Sequence, residues 1–113
     1  MFHNTIVIEN IYNYSFDFKK LLKKTDTIIW KNCENINIKI SSKINKVIFN
    51  NCKNIKINIF DTICGIEIYK TQIKVNLKNS NLNFIETYKS NIYLTNYTNL
   101  PTIINEDSKI IKK

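Results

Sequence analysis

Arginine and alanine are absent from this 113-residue chain, and glycine, proline, histidine and tryptophan occur once each. A single Gly excludes a Gly-rich loop for a nucleotide phosphate, and with neither Asn-Gly nor Asp-Gly present, tight hairpin turns have no material. The lone His3 stands in a terminus expected to fray, so the usual general base is missing and no catalytic residue is assigned. The protein is therefore expected not to be an enzyme. Apolar runs such as Ile28-Ile29-Trp30 and Val47-Ile48-Phe49 fall far short of the ~20 residues that span a bilayer. The first residues lack a basic region followed by an apolar one, so a cytoplasmic protein without a membrane partner is expected. Three Cys is an odd count and agrees with a reducing compartment.

What the chain does contain is 19 Asn, 23 Ile and 17 Lys, the bias of A/T-rich codons, and part of its net charge of +8 follows from that habit. The length suits one small domain. Aliphatic residues alternate at Ile36, Ile38, Ile40, at Ile55, Ile57, Ile59, and at Ile73, Val75, Leu77. Period two means strands. The strands also repeat: Asn32-Cys33-Glu34-Asn35-Ile36 returns as Asn51-Cys52-Lys53-Asn54-Ile55, and Ile36, Ile55, Ile73 and Ile92 stand 19, 18 and 19 residues apart. Seven residues upstream, Ile29, Ile48, Ile66 and Ile85 echo that spacing.

A unit of two short strands without hairpin residues suits a coil that advances one inter-strand step, roughly 4.8 Å, per repeat. The expected fold is all-β, a parallel β-helix of about five to six short rungs with Ile columns inside and Asn and Lys outside. A hairpin-built sandwich is the competitor, and it would need turn signals that are missing. Asn32, Asn35, Asn51 and Asn54 are placed at corners, where Asn tolerates left-handed backbone and forms ladders. Phe16 to Lys24 departs from alternation and is read as an irregular strand or one helical turn capping the open end. The coil is assigned residues 1–98, and residues 99–113 a shortened extension and charged tail.

Cys33 and Cys52 hold equivalent positions in successive rungs, with Cys64 elsewhere, and are read as stacked reduced thiols. Zinc would lack a fourth ligand, so no metal site and no cofactor are assigned. Glu106 and Asp107 lie in the tail, and Glu67 and Glu86 on a solvated face, which leaves no hydrolytic dyad. Tyr69-Lys70 and Tyr88-Lys89 suggest nucleic acid, but Arg is missing and the Lys are spread over every rung, so a solvated coat is preferred and no nucleic-acid partner is expected.

The segment Ile40-Ser41-Ser42-Lys43-Ile44-Asn45-Lys46-Val47-Ile48-Phe49-Asn50-Asn51-Cys52-Lys53 closely resembles the C-terminal domain of cyclase-associated protein, where a Lys-Ile-Asn turn, a strand and an Asn-Cys-Lys corner follow in that order. Ile8-Glu9-Asn10 sits the expected distance before Asn32-Cys33. Phe60-Asp61-Thr62 followed by Gly65-Ile66-Glu67-Ile68 looks like the family's Phe-Asp-Asp turn and next strand, and Asn91-Ile92-Tyr93-Leu94 resembles its Ile-Tyr-Leu rung. Residues 6 to 98 are covered. The resemblance implies a right-handed parallel β-helix that binds monomeric actin, preferably ADP-bound, and accelerates its nucleotide exchange in a cytoskeleton-associated setting. The matching exposed residues, and so the implied actin-binding set, are Lys43, Asn45, Asn50, Asn51, Lys53 and Asp61.

The family's terminal Pro-Glu-Gln hairpin, which exchanges between two chains, is replaced here by Leu100-Pro101-Thr102-Ile103-Ile104. Homodimer formation is then expected only through the C-terminal edge, Tyr93 to Ile104, an open rung. The helical module, proline-rich tract and short actin-binding motif that precede the domain in the family do not appear. Leu22-Lys23-Lys24-Thr25 resembles the core of short actin-binding peptides, and in a Lys-rich chain it is read as coincidence. Tubulin-binding cofactor C shares the coil, but its GTPase activation depends on an arginine finger. Without Arg, the alternative function is a structural or scaffold β-helix.

Overall fold

In the computed structural model, which describes residues 4–113, the chain forms twelve short strands and, among the described residues, no helix. His3 lies outside the described residues. The strands are β1 (Asn4–Glu9), β2 (Tyr12–Asp17), β3 (Asp26–Lys31), β4 (Glu34–Ile44), β5 (Lys46–Asn50) and β6 (Lys53–Thr62). They continue as β7 (Ile66–Tyr69), β8 (Gln72–Asn76), β9 (Phe84–Tyr88), β10 (Asn91–Thr95), β11 (Thr102–Glu106) and β12 (Lys109–Lys112). Odd-numbered strands form one six-stranded sheet and even-numbered strands another, each pairing parallel with the strand one rung away. This is the parallel coil expected from the repeat, in six rungs. None of the helices that could cross a membrane is present among the described residues.

Alternation along each strand fills the interior. Ile36, Ile55, Ile73, Ile92 and Ile110 stand in register in the second sheet, with Ile38, Ile57, Val75 and Leu94 as the next column. Ile28, Val47, Ile66, Ile85 and Ile103 form the facing column of the first sheet. The echo at Ile29, Ile48, Ile66 and Ile85 therefore mixes two columns: Ile29 and Ile48 point outward, in register with Glu67 and Glu86. The first sheet keeps a 19-residue step from Val47 to Ile66, where the second drops to 18 between Ile55 and Ile73. A single register cannot serve both sheets.

The coil also runs further than residue 98. β11 stacks on β9 and β12 on β10, so the stretch read from sequence as a charged tail, residues 99–113, holds the sixth rung. Doubled aliphatics, Ile103-Ile104 and Ile110-Ile111, hide its alternation. The open C-terminal edge is accordingly β11 and β12, with Tyr93 paired to Ile111 inside the sheet. At the other end Phe16 packs edge-on to Trp30, ring centroids 5.0 Å apart, and Trp30 stacks on Phe49 at 6.2 Å. Phe16 belongs to β2, and Phe18 and the buried Leu22 continue the cover as turns.

The corners follow from backbone geometry. Asn10, Asn32, Asn51, Lys70, Lys89 and Asp107 all have φ between 47° and 58°, as do Asn13, Asn35 and Asn54 at a second corner column. Asn adopts this region at lower cost than most residues. Its side chains also ladder: Asn51 Nδ2 donates to Asn32 Oδ1 at 2.8 Å, Asn35 to Asn13 at 2.8 Å and Asn54 to Asn35 at 3.0 Å. Each first corner is followed by an inward residue: Ile11, Cys33, Cys52, Thr71, Ser90, Ser108. The hydroxyls there accept backbone N–H groups from the rung before, Cys52 to Thr71 at 3.2 Å, Thr71 to Ser90 at 3.0 Å and Ser90 to Ser108 at 3.0 Å. The single glycine is required where it stands, because Gly65 has φ +82° and a Cβ there would collide with the Phe84 carbonyl oxygen.

Asn35 sits in the middle of its ladder, so Asn35→Ala should cost about 1–2 kcal/mol through left-handed strain and lost amide bonds. Asn35→Gly should cost less, since glycine removes the strain. Urea titration of both variants checks this, and a larger loss for glycine than for alanine would contradict it.

Candidate functional site

The six residues carried over from the resemblance fall on β4 to β6 and on the bends between them, which hold Asn45 and Asn51, but at two opposite edges of the flattened coil. At the wide corner the β4–β6 register shifts between Ile40 and Lys43. Such a bulge re-aims the side chains beyond it. Lys43, half exposed, reaches Asp61 in register on the next rung, Nζ to Oδ2 3.6 Å, and Asp61 Oδ1 also accepts the Thr62 N–H at 2.8 Å. Asn45 is half-buried beside them, its Nδ2 donating to Thr27 Oγ1 at 2.9 Å and its carbonyl accepting the Cys64 N–H at 2.7 Å. Its polar atoms serve the turn.

The tight corner holds the other three. Asn50 ends β5 exposed, its carbonyl accepting the Asn32 N–H at 3.1 Å, and Asn51 is the ladder member already described. Lys53 opens β6 with its side chain in solvent and its N–H on the Cys33 carbonyl at 3.0 Å. Asn51 and Lys53 line a shallow hollow of about 390 Å³ with Asn32, Glu34 and Tyr12. The five residues of β5 between the groups set them roughly 16 Å apart at ~3.3 Å per residue. No pair from opposite edges can touch a common small ligand.

The outer faces of the sheets carry different charge. On the first sheet Glu9, Lys31, Asn50, Tyr69, Tyr88 and Glu106 share one column, and Glu67 lies beside Glu86 in another. On the second sheet Lys56 lies beside Lys74, and Lys39 flanks them one strand back. These three lysines are thus gathered on one face, while the others remain spread over both sheets and the corners. The signal was available, since Lys56 and Lys74 each sit between the inward pairs Ile55/Ile57 and Ile73/Val75. Composition blurred it.

Glu67 is not on an open face either. It is half-buried, ion-paired with Lys46 and hydrogen-bonded by the Tyr69 hydroxyl. Partial burial alone would raise its carboxyl, but the bonds from Lys46 and Tyr69 outweigh that and hold Glu67 below the usual carboxylate range. The hydrogen bond to Glu67 raises the Lys46 ammonium against the opposing effect of burial, and the same carboxylate, with burial, pushes the Tyr69 phenol up. Cys33 and Cys52 are free and buried, and burial raises the Cys52 thiol, which disfavours the reactive thiolate. No group of three His, Cys, Asp or Glu suited to a metal occurs among the described residues. Leu22-Lys23-Lys24-Thr25 forms a turn closed by Asp26, whose Oδ2 accepts the Lys23 N–H at 2.8 Å, and no helix precedes it.

A lowered carboxylate stabilises the fold above its ordinary pKa and ceases to as pH falls through the lowered value, while a raised ammonium does so until pH climbs through the raised one. Glu67→Gln should therefore cost about 1 kcal/mol at neutral pH. The gap to the parent chain should shrink toward zero as acid protonates Glu67. Denaturant titrations at neutral and acid pH check this, and a gap independent of pH would assign the loss to packing.

The model of one family, adenylate cyclase associated (CAP) C terminal, matches residues 3–110. That span takes in all six candidate residues and most of the sixth rung. No curated protein matches the chain.

Proposed function

Because the chain belongs to the adenylate cyclase associated (CAP) C-terminal family, we propose that it binds monomeric actin, prefers the ADP-bound form and promotes exchange of the bound nucleotide. Membership supports actin-monomer binding in general. The preference and the exchange activity rest on a physical reading of the coil. Its in-register rungs make a stiff plate with polar groups at two edges, Lys43 and Asp61 at one, Asn50, Asn51 and Lys53 at the other. A rigid body holding two parts of a hinged partner binds one opening of the hinge better than another. That difference in affinity is what shifts a conformational equilibrium, here toward an actin whose nucleotide leaves faster. The chain itself turns nothing over.

Within the set, Lys43 and Lys53 are the exposed cations and carry the partner contact, while Asn45, Asn51 and Asp61 shape the corners that present them. Asn50 is the exposed neutral member. The edges of β11 and β12 offer a second copy a place to pair, which would double the plate along the coil axis, and binding to actin would place the protein with the cytoskeleton.

Release of a fluorescent nucleotide from actin monomers is the test. The parent chain should accelerate it at saturation. Lys43→Ala combined with Lys53→Glu should weaken actin binding at least tenfold, with the circular dichroism spectrum and melting unchanged. Alanine is chosen at position 43 because glutamate there would face Asp61. Unchanged affinity in a folded variant would favour the scaffold reading.

A further inference from the structure

The outer face of the second sheet is not used by either edge group. Between β2, β4, β6 and β8 it encloses a hollow of about 410 Å³ lined by Lys39, Lys56 and Lys74 together with Asn37, Asn58 and Asn76. We infer that this hollow binds a small molecule or headgroup bearing several phosphate groups.

Register is the first ground. Lys56 and Lys74 are direct neighbours on β6 and β8, Asn37 and Lys56 on β4 and β6, and Lys39 and Asn58 likewise. At roughly 4.8 Å per strand and 3.3 Å per residue, Lys56 and Lys74 are anchored about 5 Å apart, and Lys39, one strand back and two residues along, about 8 Å from Lys56 and about 12 Å from Lys74. Like charges in register on adjacent strands repel. Among the described residues no ion pair engages them: the two that form involve Lys43 and Lys46 instead. The one carboxylate in the lining is Asp17, in register with Lys39, and its Oδ1 accepts the Lys19 N–H at 3.1 Å. Three lysines against one aspartate leave two cationic charges uncompensated. A ligand with closely spaced negative charges removes that repulsion as it binds.

The density of charge favours phosphate. Lys ammonium is a compact point charge with rotatable donors, and several such charges side by side suit the closely spaced anionic oxygens of clustered phosphoryl groups. The Asn side chains add neutral donors between the cations. A hollow of this volume matches a small ligand. A nucleic-acid strand would want free aromatic faces on which bases stack. The aromatic residue in the lining, Phe16, is packed on Trp30, and Tyr93, next in the lysine column, has Lys113 Nζ over its ring at 5.6 Å.

Calorimetry on the full chain with inositol hexakisphosphate and with inorganic tripolyphosphate tests the site. A second arm uses phosphatidylcholine vesicles with and without phosphatidylinositol 4,5-bisphosphate, which separates a free ligand from a lipid headgroup. Saturable binding in either arm is expected, weakened at least tenfold by Lys56→Gln with Lys74→Gln. The control Lys20→Gln with Lys24→Gln has the same net charge and should retain it. The double variant at positions 56 and 74 should melt no lower than the parent, since it removes a repulsion, so lost binding would not reflect unfolding. Binding in neither arm, equal loss in the control pair, equal affinity for polyglutamate, or tighter binding of single-stranded RNA to the same lysines would overturn the proposal.

Discussion

Each rung is held to the next by backbone hydrogen bonds that repeat in one direction, and this parallel ladder dictates what every position can be. The Lys53 N–H meets the Cys33 carbonyl, Gln72 meets Cys52 and Asn91 meets Thr71, each at 3.0 Å. A residue is thereby placed beside its equivalent one turn away, so a side chain suited to the interior must be followed by another at the same station. The Ile columns satisfy that demand through burial. At the corners it is met by Asn, whose amide finds its counterpart above and below, and later in the coil by Thr and Ser, whose hydroxyls take the N–H of the preceding rung.

The same constraint shapes the surface. Outward positions stack as surely as inward ones, so charge that looks diffuse along the chain becomes columns across it. Lys56 and Lys74 come together on one face, while Glu67 and Glu86 come together on the other. A small plate with unlike faces and polar edges results. Its stiffness comes from long-range pairing throughout, and stiffness is what lets two edge groups act on a partner as a unit.

Much of this could be read in the residues. The repeated Asn-Cys-x-Asn-Ile motif located the corners, and alternation at Ile36, Ile55 and Ile73 located the inner columns, because both are properties of one strand and its spacing. What escaped depended on comparing two sheets. The step between rungs is not shared, so Ile29 and Ile48 were grouped with inward residues that belong to the column of Ile28 and Val47. The sixth rung was hidden because Ile103-Ile104 and Ile110-Ile111 break the alternation. The Lys46–Glu67–Tyr69 cluster joins neighbours across β5 and β7 and has no local signature. The candidate edge residues were found by their likeness to a family, which tells nothing of the roughly 16 Å that β5 puts between them.

Scalar coupling across hydrogen bonds, measured by NMR on labelled protein, reads the ladder directly. The account predicts that the amide nitrogens of Lys53, Gln72 and Asn91 couple to the carbonyl carbons of Cys33, Cys52 and Thr71, a parallel register advancing one turn at a time. Couplings that instead ran in reverse order between adjacent strands would show folded-back hairpins and contradict it.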